Sequence, residues 1–132
     1  MPQLNRYRRI WIYLPTTYKL NTAKNYPVIY MQDGQNLFNE QTAPFGEWGV
    51  DECLDSLQRQ LRRDCIVVGI DNGGEKRMTE YNPYDNDKFG KGEGNQYIDF
   101  LAQTLKPFID RQYRTFKDAP NTYIAGSSMG GL

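Results

Sequence analysis

Histidine is absent from this chain of 132 residues. Its absence removes the usual general base of serine catalysis and the commonest nitrogen ligand for a metal. An excess of one charge is missing too. Sixteen Lys and Arg balance sixteen Asp and Glu, so there is no basic surplus with which to grip nucleic acid. The local run Arg6, Arg8, Arg9 reads as the solvated face of a strand. No stretch approaches the roughly 20 apolar residues of a membrane-spanning helix, and the opening "MPQLNRYRRI" has no hydrophobic signal-peptide core. These features predict a cytoplasmic protein with neither a membrane nor a nucleic-acid partner. Cysteine is scarce as well. Cys53 and Cys65 make no disulfide framework and no C-x-x-C metal spacing. Cys53 falls at an apolar helical position and Cys65 opens an apolar run, so both are expected to be small buried core residues. No metal and no cofactor are predicted.

What is present is an alternation of strands and helices. "RRIWIYLP" (8–15) sets Ile10, Ile12 and Leu14 against Arg9, Trp11 and Tyr13, as a strand with one buried face does. "YPVIYMQDG" (26–34), "CIVVGIDNGG" (65–74) and "NTYIAGSS" (121–128) are apolar runs that end in small or turn-forming residues. Such runs suit a sheet covered on both faces. Between them, Val50, Leu54, Leu57 and Leu61 recur at helical spacing, with acids at the first turn and arginines at the last, an order that complements the helix dipole. Tyr97, Leu101, Leu105 and Phe108 or Ile109 form a second helical stripe, which Pro107 should bend. The expected architecture is a three-layer α/β/α sandwich with a mostly parallel sheet and right-handed crossovers. Residues 1–132 show no linker, repeat or internal boundary. The polar loop from Asp71 to Asn95 is long enough to suggest function.

Gly126-Ser127-Ser128-Met129-Gly130 fits G-x-S-x-G, after a predicted strand and before a predicted helix. In that setting a sharp turn holds the serine in a strained backbone, its hydroxyl projects above the sheet edge, and the next amide points where an oxyanion would form. A second oxyanion donor has to come from the loop after another strand, and "MQDGQNLF" (31–38) is a candidate source. "FGKGEGNQYID" (89–99) has Gly90-x-Gly92 but Asn95 in place of a third glycine, and no strand precedes it. It reads as a loop leading into a helix, not a dinucleotide fingerprint.

The order of "RRIWIYLP", "YPVIYMQDGQNLF", "GEWGVDE", "IVVGIDNGGEKRMTEYNP", "FIDRQYRT" and "YIAGSSMGGL" resembles the putative-esterase family of the α/β-hydrolase superfamily. That family includes esterase-D-like enzymes, siderophore esterases, and feruloyl and acetyl-xylan esterases. The resemblance runs along nearly the whole chain and corresponds to the N-terminal part of one α/β-hydrolase domain, truncated after the nucleophile elbow. It implies a serine carboxylesterase acting on a small-molecule ester, with Ser128 as nucleophile and the backbone amides of Gln35 and Met129 as oxyanion donors. Arg77, Glu80, Tyr81 and Pro83 match a segment that shapes the substrate cleft. Gln32 stands where many relatives carry histidine, which is not a triad position.

Family members place an acid and a histidine downstream of the elbow, and nothing here lies downstream. The chain is therefore expected to be a fragment, inactive alone, with its last strand and elbow short of neighbours. Two alternatives stay open. One is a non-catalytic pseudo-esterase that binds without a base. The other is a complete flavodoxin-like domain that holds a phosphate or nucleotide at a helix N-terminus.

Overall fold

A computed structural model describes residues 1–132. Its elements, in chain order, are β1 (Ile10–Tyr13), α1 (Thr17–Leu20), β2 (Val28–Gln32), α2 (Val50–Leu61), β3 (Ile66–Ile70), α3 (Arg77–Glu80), α4 (Gly94–Asp99), α5 (Lys106–Gln112) and β4 (Thr122–Ala125). The four apolar runs form one sheet in the order β1-β3-β2-β4. β2 runs parallel to both β3 and β4, while β1 is antiparallel to β3. The expected parallel core of three strands is present, and the opening strand closes one edge in the opposite direction. No helix is long and apolar enough to cross a membrane.

Strand alternation assigns the two faces. Val28, Tyr30, Ile66, Val68 and Ile70 share one face and pack with Tyr97, Phe100, Leu105 and Ile109 in a single cluster. Ile66, Ile70 and Ile109 are wholly buried, and burial of each such side chain is worth about 1.5–3 kcal/mol. On the other face, an added Cβ at Gly69 would come within 3.0 Å of Leu37 and 3.2 Å of Phe38. Tyr13 stacks on Phe38 and donates its hydroxyl to Asp55 of α2. Helices therefore cover both faces, giving three layers.

The second helical stripe is continuous from Gly94 to Gln112, but it widens to π-type turns over Phe100–Leu105. The widening lies just before Pro107, whose ring has no N–H to donate and would crowd the carbonyl four residues back. Proline thus loosens the helix instead of ending it. The long polar stretch after β3 holds α3 and then a series of turns closed by its own side chains. Asn82 accepts from the Tyr84 amide, Asn86 from Lys88, and Asp85 from Gly92.

Three expectations need correction. Cys53 is exposed, and Cys65 is only half-buried. Cys53 sits one residue before Leu54, about 100° round the helix from the apolar stripe. The stripe of α2 itself has no fully buried residue: Leu57 is 39% and Leu61 61% exposed. Two of the side-chain anchors of α2 are polar, Tyr13 to Asp55 and Thr16 to Gln58. Nor is the arginine run a solvated face. Only Arg9 points outward, at 64% side-chain exposure, whereas the Arg8 side chain is 6% exposed and Arg6 27%. Both inward arginines bind Glu80, a carboxylate with no exposure at all, which would be very costly to enclose without a counter-charge.

Candidate active site

Parallel pairing of β2 with β4 puts the C-terminal ends of both strands side by side, with Met31 opposite Ala125. The turn after each strand therefore rises at the same edge of the sheet. After β4, Ser128 is exposed and has φ of 56°, in the left-handed region that costs a residue with a side chain about 1–3 kcal/mol. Gly126 has to be glycine, because a Cβ there would lie 1.9 Å from the Gly130 carbonyl oxygen. Ser128–Gly131 is a tight helical turn in which the Gly130 amide donates to the Ser127 carbonyl at 2.9 Å.

After β2, Asp33 is also left-handed, at φ 58°, and Gly34 presses on β3. A Cβ on Gly34 would sit 2.7 Å from both the Gly69 carbonyl carbon and the Ile70 nitrogen. The amides of Asn36 and Leu37 close this turn onto Asp33 and Gly34. The side chain of Gln35 is drawn away to accept from the Asn72 amide at 3.1 Å. The two turns touch: an added Cβ at Gly130 would meet Asp33 Oδ2 at 3.0 Å and Gln32 Cβ at 3.1 Å. The structure thus brings together the segments that carry Ser128, Met129 and Gln35.

Arg77 and Tyr81 join this group through Asp33. The guanidinium of Arg77 grips the Asp33 carboxylate with Nε at 2.7 Å and Nη2 at 2.9 Å, and Asn72 Nδ2 donates to the same carboxylate at 2.7 Å. The hydrogen bond to Asp33 holds Arg77 above its ordinary value. The Tyr81 hydroxyl accepts from the Asp33 amide at 3.4 Å. Burial, and then the charge of Asp33, push Tyr81 up to about 12. Tyr97 is pushed up further by its deeper burial, and its hydroxyl donates to Gln32.

Glu80 borders a cavity on the α4 side of β4, as Tyr81 does, but has no solvent-exposed surface of its own. Both its oxygens are taken by Arg8, and one also by Arg6. Arg6 reaches on to Glu93 at 2.8 and 2.9 Å, and this bond holds the Glu93 carboxyl below its ordinary value. Glu80 is therefore an ion-pair centre behind the site. Neither this network nor the pairing of Asp33 has a local signal in the sequence, because the partners lie more than 40 positions apart.

A cavity of about 470 Å³ lies on the α4 side of β4, walled by Gln32, Tyr97, Ile124, Met129 and Leu132 among others. Ser128 is not one of its walls. Ile124 lies opposite Tyr30 and so faces the layer of α4 and α5, which makes this a gap in helix packing under an uncovered strand. Elsewhere, Glu47, Asp51 and Glu52 bring carboxylate oxygens within 4.8 Å of one another. They sit at the start of α2, where the helix amides already favour negative charge.

The family model described as "Putative esterase" matches residues 2–132. An uncharacterized protein of Bacillus subtilis (strain 168), YbbA, is 29% identical over 132 residues, covering 95% of this chain and 48% of that protein. The chain thus spans about half the length of the curated relatives it matches. Among solved structures, an IroE-like serine hydrolase from Shewanella oneidensis superposes with a TM-score of 0.69 at 26% identity, covering 87% of this chain and 37% of that one. A ferulic acid esterase superposes with a TM-score of 0.68 at 27% identity, covering 96% and 47%. The fold is α/β-hydrolase-like. A flavodoxin-like domain is not supported: β1 is antiparallel, and both neighbours are hydrolases.

Proposed function

This chain belongs to the putative-esterase family, and on that premise we propose that it carries the nucleophile half of a serine carboxylesterase. The observation that carries the reading is the backbone of Ser128, a left-handed, exposed serine at the centre of the G-x-S-x-G bend that follows β4. Nothing about an ordinary helix start requires that strain, whereas a nucleophile held clear of the sheet does.

In the proposed reaction the Ser128 hydroxyl oxygen bonds to the ester carbonyl carbon. The carbonyl oxygen becomes an oxyanion held by the amides of Gln35 and Met129, and the alcohol then leaves with a proton. Water later hydrolyses the acyl-serine. The serine proton needs a base, and this chain offers none. Histidine is absent. The neighbouring carboxylate of Asp33 has both oxygens held by Arg77 and one also by Asn72, so its lone pairs are already engaged. Glu80 is bound to two arginines. We therefore assign the acid and the histidine to sequence outside these 132 residues and expect no turnover without them. The substrate is a small-molecule ester. The name of the ferulic acid esterase neighbour suggests a hydroxycinnamate ester as a first trial.

The test is hydrolysis of p-nitrophenyl acetate together with fluorophosphonate labelling. The 132-residue chain should match its Ser128→Ala variant in both, since loss of a triad member leaves only residual catalysis. The protein as its gene encodes it should do both, and Ser128→Ala should abolish them. Rapid stoichiometric labelling of the short chain at Ser128 would mean that a base has been overlooked. The lack of histidine also supports a second reading, a non-catalytic binder that keeps the cleft; an encoded protein that binds esters without hydrolysing them would establish it.

A further inference from the structure

We propose that Arg77 is a positioning residue that latches the turn after β2 to the turn before Ser128, so that one guanidinium sets the spacing between the Gln35 and Met129 amides. The inference rests on the serine-hydrolase reading for its purpose, but not for its geometry. The Arg77 side chain is 25% exposed and the Asp33 side chain 5%, so the pair is largely shielded from water. Two nitrogens of Arg77 hold both oxygens of Asp33 in a fork, an arrangement that fixes orientation as well as charge. The same Nη2 also reaches the Ser127 carbonyl at 3.4 Å. One planar group thereby spans the strand end that carries Gln35 and the residue that precedes Ser128.

Two further contacts make the latch directional. Asp33 is the left-handed first residue of its turn, and its carbonyl accepts from the Asn36 amide at 2.9 Å, so a shift of Asp33 moves the Gln35 amide between them. The Ser127 carbonyl accepts from Gly130 at 2.9 Å, so a shift of Ser127 moves Met129, which lies between those two. Asp33 Oδ2 stands 3.0 Å from where a Cβ of residue 130 would lie, which closes the loop. A side chain at residue 130 would displace the carboxylate that Arg77 holds, which gives the last glycine of G-x-S-x-G a physical reason in this molecule. Lysine cannot replace this arginine, because an ammonium is a point charge without a planar fork.

Amide hydrogen exchange on the 132-residue chain tests this without any chemistry at Ser128, so a negative labelling result leaves it standing, and the reverse also holds. The reporters are the amides of Gly130 and Asn36. Arg77→Met should raise exchange at both by about tenfold while leaving β3 and α2 within about twofold, as expected of a local opening. Arg77→Lys should keep Asn36 protected through its charge on Asp33 but release Gly130. Methylguanidinium added to Arg77→Ala should restore both, which a loss of general packing would not allow. If Arg77→Met fails to fold, Asp33→Asn removes the ion pair with little change of shape and should give the same local pattern. Unchanged exchange at Gly130, or an equal rise across the whole sheet, would overturn the proposal.

Discussion

β3 and β4 are alike in sequence and opposite in setting. "IVVGI" at 66–70 and "TYIA" at 122–125 are both short apolar runs leading into turns. All five residues of β3 are buried, whereas in β4 Tyr123 is 52% and Ile124 66% exposed. The difference comes from neighbours. β3 has a strand on each side and helices over both faces, while β4 pairs only with β2. The strand that leads into Ser128 is thus the least supported of the four, and the turn it feeds is held from the side by Arg77 and Asp33. Strand pairing places the segment that carries Ser128, and the Arg77–Asp33 pair lies against it.

The strongest way to break this comparison is to put the same charge on both strands. Val68→Asp would bury an unpaired carboxylate where exposure is zero, and a loss above about 4 kcal/mol is expected, enough to unfold a domain of ordinary stability. Ile124→Asp should cost about 1 kcal/mol or less, because that side chain already meets solvent. Urea denaturation followed by circular dichroism measures both. Equal losses would show that β4 is covered in solution.

The strands and helices were legible because apolar periodicity is local. Val28, Ile66 and Ile109 sit where their spacing placed them. The sharp turn after β4 was legible for the same reason, since the close approach of Gly126 to Gly130 and the left-handed backbone of Ser128 are contained in a few residues. What could not be read depends on distant pairs. Arg6 and Arg8 looked like surface charges until Glu80 was found 74 and 72 positions away. The same holds for Asp33 and Arg77, 44 positions apart. A charged residue has no sequence pattern that distinguishes a solvated position from a paired, buried one, and no local pattern tells how many neighbours a strand will have. The exposed β4 agrees with the expectation that the last strand is short of neighbours, whereas Cys53 is exposed because it lies beside the apolar stripe of α2 and not on it.

The ion network sharpens the contrast between enclosed and rim positions. Glu80→Gln should cost about 3 kcal/mol, because it leaves Arg8, at 6% side-chain exposure, without its counter-charge. Glu93→Gln should cost only about 0.5–1 kcal/mol at neutral pH, since its pair with Arg6 lies nearer water. The two also differ in what acid does. The Glu93 carboxyl is held below its ordinary value, first by the hydrogen bond from Arg6. Its contribution is therefore complete above the usual glutamate range and is lost as pH falls through the depressed native value. The stability gap between wild type and Glu93→Gln should be full at neutral pH and close in acid. A gap that is constant with pH would mean that the carboxylate charge is not what stabilises this corner.

The smallest effect changes no stability and reads burial through chemistry. Cys53 lies on the open side of α2, and Cys65 is half-buried at the start of β3. Burial, followed by the charge of Asp64, pushes the Cys65 thiol up to about 11. The attacking species is the thiolate, so at neutral pH a thiol near 11 offers roughly one hundredth of the nucleophile that an ordinary cysteine near 9.0 does. Restricted access slows it further. Ellman's reagent should therefore titrate one thiol of the native chain quickly, and Cys53→Ser should remove that fast phase. The second thiol should react about a hundredfold more slowly and gain on the first as the pH is raised. In urea the two should become equal, because the burial belongs to the folded sheet and in the unfolded chain each cysteine simply follows an acidic residue, Glu52 or Asp64. Two equally fast thiols in the native chain would mean that the start of β3 opens to solvent, and the contrast between a covered β3 and an uncovered β4 would then apply only to the middle of each strand.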